Sequence, residues 1–487
     1  MSRPILEWAR RRAHLESTSS PIEALRDGQS VDEVEARTGF SRAAVLGVQT
    51  FYDLLHGGQG LRLCDGTACH FARHADHPVA MPRPDTVRCV GRCYEAPAVL
   101  ADGDFPIPRF ALTPEPALFR NLLGGANTDP ASYYALPDGA TILDAVEVSG
   151  LRGRGGSGYP TAAKWRSAAV QSDPEKFVVA NGDEGDPGSF VDRLLLEDDP
   201  HAVLAGMSAC AKAIRARRGI VYVRGEYPRA VEVVRNAIAE ARSSGWLPRD
   251  FTVEVHRGAG SYVCGEETAM LRAIEGLRAE ASPKPPYPAE RGLFGRPTIV
   301  QNVETLALVP WILTTGGTPS TKAFSISGAV CRPGAYEAEL GISLRELLGA
   351  AGGPPPGRSW KMAVVGGPMG RVLPADDFGV RLAYESTPGL GHGGVVVLDT
   401  TVSARAVAEH LFAFAASESC GACTPCRAGT RQLSAAARES RTALERLLAT
   451  LEIGSMCAFG TSVPRPIHDL IRAFGHELFE ETPGGSS

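Results

Sequence analysis

Apolar and polar positions alternate in a regular way through the middle of the chain. Short continuous apolar runs, typical of buried strands, are separated by longer segments with apolar residues at helical spacing. The predicted strands are residues 177–180, 219–227 and 251–256, and the predicted helices are residues 202–216, 229–243 and 266–275. Strands that alternate with helices of this length indicate a parallel sheet covered by helices. The pattern predicts an α/β domain over residues 135–318.

Shorter elements flank this domain. The predicted helices there are residues 31–36, 41–56, 402–417 and 428–451, and the predicted strands are residues 61–63, 98–100, 324–330, 364–365 and 395–398. The stretch 283–310 is proline-rich and then helical, with Asn302 and Thr305 at the helix start. It predicts an ordered loop over a site, because proline cannot pair within a central strand. The other predicted domains are a helical segment over 1–57, a small α/β unit over 58–125 with a linker at 123–127, a β-rich domain over 319–400 and a helical domain over 401–487.

Composition and charge narrow the function classes. A chain of 487 residues is long enough for about three domains, and 44% hydrophobic with 22% charged residues is ordinary for a folded soluble protein. The net charge of −5 argues against a dominant nucleic-acid surface, because phosphate binding needs a basic excess. No apolar run reaches the length of a membrane span, and residues 1–20 lack the apolar core of a secretory signal. We therefore expect a cytoplasmic protein without a transmembrane segment.

The eleven cysteines are too few for a disulfide scaffold, and eight of them fall into two groups. In a reducing compartment such groups indicate metal or redox chemistry. The first group consists of Cys64 with Cys69 and Cys89 with Cys93, and 19 residues separate the two pairs. Four thiolates in two close pairs bind either a tetrahedral zinc ion or an iron–sulfur cluster. The spacing leaves both metals open.

The second group lies near the C-terminus. Cys420, Cys423 and Cys426 follow one another at intervals of three, and Cys457 is the only cysteine beyond them. This spacing, with a proline directly before the third cysteine, favours an iron–sulfur cluster, while a zinc site with the same four ligands is the alternative. The remaining cysteines stand alone, and isolated cysteines usually act as small hydrophobic residues. We assign no role to Cys210, Cys264 and Cys331.

Three glycine-rich loops occur in the predicted α/β domain. The first, at residues 151–165, leaves backbone N–H groups free to wrap phosphate oxygens, and its arginine and lysine residues add positive charge. The loops 181–188 and 258–267 directly follow predicted strands, which is where α/β proteins bind ligands. The first loop alone is also compatible with a simple turn, and the acidic pair Glu266 and Glu267 with a helix dipole. Together the loops predict a nucleotide site.

One chain thus combines a nucleotide-type site with two groups of cysteines. A flavin would link them, because a flavin accepts two electrons as hydride from a nicotinamide and releases them singly to iron–sulfur clusters. The pattern therefore indicates an electron-transferring oxidoreductase. A hypothesis from a different class, a zinc-stabilised structural subunit that binds nucleotide without turnover, stays open at this point.

Five segments of the chain resemble one known family. They are GLRGRGGSGYPTAAKW at 150–165, NGDEGDPGSF at 181–190, GAGSYVCGEET at 258–268, QNVET at 301–305 and ESCGACTPCRAGT at 418–430. These segments are similar to the 51-kDa flavoprotein subunit, the NADH-oxidising subunit of respiratory complex I and its soluble relatives, and the resemblance runs from about residue 135 onward. The first cysteine group resembles the 24-kDa partner subunit, a thioredoxin-like 2Fe–2S ferredoxin, here fused to the flavoprotein.

The resemblance implies a fold and a set of cofactor ligands. The fold would be α/β and multidomain, with an N-terminal helical segment and a thioredoxin-like ferredoxin unit, a Rossmann-like FMN/NADH domain, a small β-grasp-like domain and a C-terminal helical bundle with an iron–sulfur cluster. The residues implied for FMN are Gly153, Arg154, Gly155, Gly156, Lys164, Asn181, Asp183, Glu184, Asn302 and Thr305. Those implied for NADH are Tyr159, Tyr262, Glu266 and Glu267. The cluster ligands would be Cys420, Cys423, Cys426 and Cys457 for 4Fe–4S, and Cys64, Cys69, Cys89 and Cys93 for 2Fe–2S.

The implied function is that of a diaphorase subunit. It would exchange hydride between NAD(H) and FMN without a general base and pass single electrons through its clusters to or from a catalytic partner with further iron–sulfur clusters. Gly182 and Asp186 give a loop that resembles soluble formate dehydrogenases and hydrogenases, and the chain stops at Ser487 without the extra ferredoxin domain of some hydrogenases. We expect a molybdenum or tungsten formate dehydrogenase partner; a bidirectional hydrogenase or complex I is the alternative.

Overall fold

The computed structural model describes residues 20–55, 62–74, 86–124 and 129–479. Most of the predicted linker, and nearly all of the N-terminal stretch that we searched for a secretory signal, lie outside the described residues. The strands, in chain order, are β1 Leu63–Cys64, β2 Thr86–Val87, β3 Arg109–Ala111, β4 Phe177–Gly182, β5 Arg218–Val223, β6 Thr252–Arg257, β7 Thr298–Asn302, β8 Thr321–Gly328, β9 Gly334–Glu339, β10 Trp360–Val365, β11 Arg371–Pro374 and β12 Gly394–Asp399.

Helices surround these strands. In chain order they are α1 Pro21–Arg26, α2 Val31–Thr38, α3 Arg42–Gln49, α4 Thr67–His74, α5 Gly139–Val148, α6 Thr161–Ala169, α7 Val191–Asp198, α8 Pro200–Ile214, α9 Pro228–Ser243, α10 Glu267–Ile274, α11 Pro288–Arg291, α12 Val303–Thr315, α13 Leu344–Ala350, α14 Ala404–Glu418, α15 Thr424–Gly429, α16 Leu433–Glu439, α17 Arg441–Gly454, α18 Ala458–Ser462 and α19 Pro464–Phe479. Within the described residues, none is both long and apolar enough to cross a membrane.

Four parallel strands form the centre of the α/β domain, in the spatial order β6, β5, β4, β7. Side chains of a strand alternate between the faces of its sheet. Val178 on one face of β4 therefore packs with helices α8 and α12, while Val179 on the other face packs with the N-terminal helices and α10. Both faces of the sheet are covered, and the predicted mixed α/β fold with a parallel sheet is confirmed.

The proline-rich stretch contains a strand that our sequence analysis missed. Over residues 283–310 we predicted a loop followed by a helix start at Asn302. The helix is present, but β7 precedes it and pairs in parallel with β4, with Thr298 opposite Phe177. Pro297 is the last proline before β7, so each residue of this strand keeps its backbone N–H. β7 is also an edge strand of the sheet. The stretch therefore combines a loop with a strand and the start of helix α12.

A second sheet has the order β11, β10, β12, β8, β9, β3. Its outermost strand β3 comes from the region predicted as the small unit 58–125, yet Arg109 pairs with Ala335 of β9. The Glu337 carboxylate strengthens this junction, because it accepts backbone N–H bonds of 2.7 Å from Ala117 and from Phe119. The unit predicted over 58–125 therefore extends into the β-rich domain, since strand pairing between distant segments leaves no trace in local periodicity.

The first cysteine group lies in a small β–α–β unit. β1 and β2 pair in parallel, α4 follows β1, and an antiparallel bridge joins Leu63 to Val99. Its identity as a thioredoxin-like domain stays a prediction. At the other end of the chain the helical C-terminus is confirmed, but the helix predicted over 428–451 is divided: α16 ends before Ser440, and the Ser440 hydroxyl accepts the Ala443 N–H at the start of α17.

Candidate functional site

The three glycine-rich loops meet at the carboxyl edge of the parallel sheet. Asn181, at the end of β4, donates from Nδ2 to the Gly265 carbonyl at 3.0 Å, which joins the second loop to the third. The Arg154 N–H in the first loop donates to Thr305 Oγ1 at 2.8 Å, which joins that loop to the start of α12. The predicted residues of all three loops are therefore neighbours, at the edge of the sheet where ligands of α/β proteins bind.

Two glycines of the first loop allow its backbone to approach other segments closely. A Cβ atom on Gly155 would lie 3.0 Å from the Cβ of Asn302. Gly156 has a φ of +113° and lies against Gly391, so a side chain there would be both strained and crowded. At the foot of the same loop, the Gly153 N–H donates to the Tyr159 carbonyl at 2.9 Å. The loop is a bare backbone cradle of the kind that binds phosphate.

Buried polar atoms without partners lie beside this cradle. Arg154 is 2% exposed, and its Nη2 donates to the Pro319 carbonyl at 2.8 Å, while its Nε and Nη1 have no hydrogen-bond partner. Asp183 is 6% exposed, and its Oδ2 is also unpartnered. Burial raises the pKa of Asp183 well above its usual value. Unpaired buried donors and acceptors are costly, so these atoms fit a bound phosphorylated cofactor such as FMN.

The buried Glu184 carboxylate caps the first turn of helix α7. Its Oε1 accepts the Val191 N–H at 2.7 Å, and its Oε2 accepts the Arg193 N–H at 3.1 Å, at the beginning of α7. Burial raises the pKa of Glu184 to about 7 despite these bonds. Both carboxylate oxygens are thus engaged with the backbone, and a direct role of this side chain at the flavin stays a prediction.

Asn302 caps helix α12 and fixes the residues around the cradle. Its Oδ1 accepts the Thr305 N–H at 3.1 Å, and its Nδ2 donates to Asp192 Oδ2 at 2.6 Å. Close by, the fully buried Lys322 ammonium lies 2.8 Å from Glu304 Oε2 and donates to the Arg154 carbonyl at 3.2 Å. The buried ion pair therefore ties the six-stranded sheet to the first glycine loop.

The two glutamates predicted to border NADH, Glu266 and Glu267, form an ion-pair network with two lysines. Lys164 Nζ lies 2.9 Å from Glu267 Oε2, and Lys284 Nζ lies 2.8 Å from an oxygen of both Glu266 and Glu267. Glu266 also caps α10 by accepting the Thr268 N–H at 2.9 Å. Burial acts to raise the pKa of Glu267, but the two ammonium groups outweigh it and hold that pKa at about 2. Our sequence analysis missed Lys284, although it is the one basic residue in the proline-rich SPKPPYP segment.

The two predicted tyrosines have different surroundings. Tyr262 donates from its hydroxyl to Asp186 Oδ1 at 2.6 Å, and its ring packs edge-on against Phe414 with centroids 5.1 Å apart. Burial raises the pKa of Asp186 to about 6. Tyr159 is 56% exposed at the end of the first loop, so its ring is available at the surface. Tyr262 therefore connects the loop at residues 181–188 with the C-terminal helices.

The four C-terminal cysteines are brought together by helix ends. Cys423 precedes α15, and Cys457 precedes α18 and accepts the backbone N–H groups of Phe459 and Gly460 at its sulfur. Burial raises the pKa of Cys426 to about 12, so a metal must displace its proton. Cys420 is fixed by a residue from another segment, because the Arg278 side chain donates to the Cys420 carbonyl at 2.8 Å. Backbone donors to sulfur are typical of iron–sulfur sites, and these four residues fit a cluster.

The four N-terminal cysteines also converge. All four are buried, and no disulfide joins any of them. The Cys64 thiol hydrogen-bonds with the thiols of Cys69 and Cys89, and the sulfur atoms of Cys89 and Cys93 are 3.6 Å apart. Backbone N–H groups of Gly91 and Ala98 donate to the sulfurs of Cys89 and Cys69, each at 3.4 Å. The donor set fits a metal centre.

Both cysteine groups contact the glycine loops. The Gly188 N–H of the second loop donates to the Cys93 sulfur. In the third loop the Tyr262 N–H donates to Glu418 Oε2 at 3.0 Å, and the Arg88 side chain lies 3.6 Å from the other oxygen of Glu418. Glu418 is two residues before Cys420, and Arg88 is adjacent to Cys89. One buried carboxylate therefore connects the nucleotide-type site with both groups.

Known protein families match three parts of the chain. The Nuo51 FMN-binding domain matches residues 146–311, the iron-sulfur binding region of NADH-ubiquinone oxidoreductase-F matches residues 406–481, and the SLBB domain matches residues 324–373. The glycine loops lie in the first match and the C-terminal cysteines in the second. The family matches therefore coincide with the two regions whose geometry fits cofactor binding.

Relatives that align with more than two thirds of the chain agree with these matches. The chain is 41% identical over 369 residues to the NADP-reducing hydrogenase subunit HndC of Solidesulfovibrio fructosivorans, covering 69% of this chain and 75% of that protein. It is 40% identical over 368 residues to an F-type NADH-quinone oxidoreductase subunit of Rhizobium meliloti (strain 1021), covering 69% of this chain and 87% of that protein.

A solved structure is similar over nearly the whole chain. A chain in the crystal structure of an NAD+-reducing [NiFe]-hydrogenase in the H2-reduced state superposes with a TM-score of 0.86 at 31% identity. The match covers 96% of this chain and 94% of that chain. The similarity therefore includes the N-terminal region that lies outside the three family matches.

Proposed function

This chain belongs to the NADH-quinone oxidoreductase-F family of NADH-oxidising oxidoreductase subunits, and we propose that it acts as a diaphorase that exchanges hydride between NAD(H) and FMN. The observation that carries this proposal is the bare glycine cradle with the unpartnered atoms of Arg154 and Asp183 beside it. Both lie in the segment that matches the FMN-binding domain. Bound FMN supplies the chemistry, since a flavin accepts hydride and releases electrons singly.

In this proposal the protein groups bind FMN and orient the flavin and nicotinamide rings. The backbone N–H groups of Gly155 and Gly156, with the Arg154 guanidinium, hold the phosphate end of FMN, while the Gly153 N–H closes the loop on the Tyr159 carbonyl. Asn181 and Asp183 face its polar edge. Direct hydride transfer needs no protein base, so the contribution of the chain is to hold the two ring systems in register. The residues in this role are Gly153, Arg154, Gly155, Gly156, Lys164, Asn181, Asp183, Glu184, Asn302 and Thr305.

The nucleotide side of the site contains both charge and aromatic surface. Glu266 and Glu267 accept ribose hydroxyls of NADH in this proposal, and the lysines that pair with them supply the counter-charge. Tyr262 lies against the second loop through its bond to Asp186, and Tyr159 is exposed where a ring could stack. Because Lys164 contacts Glu267, the FMN and NADH halves of the site share one charge network.

Electrons leave through the cysteine sites. The proposed ligands of a 4Fe–4S cluster are Cys420, Cys423, Cys426 and Cys457, in the segment that matches the iron–sulfur binding region. The proposed ligands of a 2Fe–2S cluster are Cys64, Cys69, Cys89 and Cys93, in a thioredoxin-like unit. Two observations support the second cluster: the sulfurs converge without disulfides, and the Gly188 N–H from the flavin-side loop reaches Cys93.

A catalytic partner with further iron–sulfur clusters completes the proposed reaction. The NGDEGDPG loop resembles soluble formate dehydrogenases and hydrogenases alike, and we expected a formate dehydrogenase partner. The match over 96% of the chain to a chain of an NAD+-reducing hydrogenase instead supports a hydrogenase partner. Either partner would act on its small substrate, formate or hydrogen, at a site outside this chain. NAD+ reduction by the purified complex, measured separately with formate and with hydrogen, decides between them.

A direct experiment tests the diaphorase proposal itself. The purified chain should be brown, contain FMN and about six iron atoms from one 4Fe–4S and one 2Fe–2S cluster, and reduce ferricyanide with NADH. A colourless protein with zinc and without flavin would refute the proposal and support the structural-subunit hypothesis. Arg154→Ala should release FMN, and Cys331→Ser, at an exposed position, is the control that should retain it.

A further inference from the structure

His392 reaches from the six-stranded sheet domain to the first glycine loop. It lies in the loop before β12, and a Cβ atom on Gly155 would be 3.2 Å from its Nε2. On the other side of the ring, His392 Nδ1 is 4.0 Å from Asp186 Oδ2, and the side chain is 16% exposed. The imidazole therefore lies between the cradle and the second glycine loop, at a position to which the sequence analysis assigned no role.

The ring nitrogens of His392 lack hydrogen-bond partners among the described residues. Nδ1 is buried and unpartnered, and no hydrogen bond joins either nitrogen to another residue in the described part of the chain. A neutral imidazole carries one donor and one acceptor, and an imidazolium carries two donors. Burying Nδ1 without a partner is unfavourable. Nε2 faces the cradle, so a ligand bound there would be its partner, while Nδ1 faces Asp186 at 4.0 Å.

The charged groups around His392 allow a bound ligand to change the protonation state of its ring. Burial and, after it, the Lys322 ammonium lower the pKa of His392 to about 3, so the free chain holds a neutral ring. Two carboxylates, Glu184 and Asp192, have oxygens within 4.8 Å of the ring, and Lys322 is itself paired with Glu304. An anion next to the ring would favour the imidazolium. The titratable groups near the ring are Glu184, Asp186, Asp192 and Lys322, and Glu304 pairs with Lys322.

We propose that His392 is an FMN-binding residue contributed by the sheet domain, and that its imidazolium donates to the FMN phosphate from one nitrogen and to Asp186 from the other. This inference rests on the proposed function and adds a ligand to it. The phosphate is the part of FMN that the Gly155 backbone is suited to hold. Its negative charge is also what stabilises the protonated ring. FMN is then clamped between two domains and takes up one proton from solvent on binding.

The test compares two flavins that differ only in the phosphate. The full chain, freed of flavin, is titrated with FMN and with riboflavin, and binding is followed by flavin fluorescence. His392→Ala should weaken FMN binding about tenfold and leave riboflavin binding unchanged, since a charge-assisted hydrogen bond to the phosphate is lost. The matched control is His256→Gln, because the Nε2 atom of His256 is likewise buried and unpartnered but its ring stacks on Tyr222. It should leave both affinities unchanged.

Each remaining outcome has a definite meaning. An equal loss of both flavins in His392→Ala, or no loss of either, overturns the proposal. If that variant does not fold, calorimetry on the wild-type chain in two buffers of different ionisation enthalpy provides the count of protons taken up. Uptake with FMN but not with riboflavin supports the proposal, and no uptake with FMN overturns it. A wild-type chain that binds neither flavin would contradict the proposed function instead.

Discussion

Lys164 Nζ lies 2.9 Å from Glu267 Oε2, and this pair joins the first glycine loop to the third. Lys164 also donates to the Val300 carbonyl at 2.7 Å, which anchors it to β7. The residue implied for FMN and the residue implied for NADH are therefore direct partners. A ribose hydroxyl that reaches Glu267 must share the carboxylate with two lysines, because Lys284 lies 2.8 Å from its other oxygen.

The first prediction concerns acid stability. The pKa of Glu267 is lowered to about 2, so its contribution to the free energy of unfolding is complete above its ordinary pKa and is lost as the pH falls towards 2. Glu267→Gln should lower the free energy of unfolding by about 2–3 kcal/mol at pH 7 and by much less at pH 3. Urea unfolding at the two pH values measures this. Glu147→Gln, which breaks an exposed pair with Arg166, is the control, and an equal loss at both pH values would contradict the prediction.

The second prediction separates the N-terminal cluster from NADH oxidation. Cys64→Ser removes a buried thiol that we propose as a ligand of the 2Fe–2S cluster, so the 2Fe–2S spin signal and about two iron atoms per chain should be lost. Reduction of ferricyanide by NADH should persist, because that reaction draws electrons from the flavin site. Electron paramagnetic resonance and iron analysis provide the measurement. Cys331→Ser, at an exposed position, should keep all the iron, and an unchanged iron content in Cys64→Ser would refute the assignment.

The third prediction concerns the buried ion pair beside the cradle. Glu304→Gln leaves the fully buried Lys322 ammonium without its counter-charge, which should cost about 3–5 kcal/mol of unfolding free energy. The control is Glu445→Gln, which removes an exposed pair with Arg441 and should cost less than about 1 kcal/mol. Chemical denaturation of both variants at pH 7 gives the comparison. Equal losses in the two variants would show that burial of the pair has no energetic effect.

The fourth prediction tests the cradle. Gly155→Ala places a methyl group 3.0 Å from the Asn302 Cβ, closer than such contacts normally come, so FMN binding should weaken about tenfold. Gly349→Ala in helix α13 meets open space and should raise the free energy of unfolding by about 0.5–1 kcal/mol. Flavin fluorescence and thermal unfolding distinguish the two effects. Retention of full FMN affinity in Gly155→Ala would argue against close contact between this loop and the cofactor.

The success of sequence reasoning depended on how local each signal was. The run FVVA and the loop after Gly182 predicted a strand end with a site, because both signals lie within a dozen residues. The role of β7 was missed because a proline-rich segment dominated its surroundings. His392 gave no local signal at all, since its position beside Gly155 depends on how two domains pack. Local chemistry was thus readable, whereas contacts between remote segments required the structure.

The pairing of β3 with β9 has a consequence for how the protein is made. Arg109 leaves the ribosome 226 positions ahead of its partner Ala335, which amounts to a wait of about 10–45 s at ordinary rates of translation. During this interval the edge of β3 and the backbone N–H groups that Glu337 later accepts have no native partner. The N-terminal cysteines therefore emerge well before the sheet that completes their surroundings, and a chaperone or a cluster-loading protein has that interval in which to act.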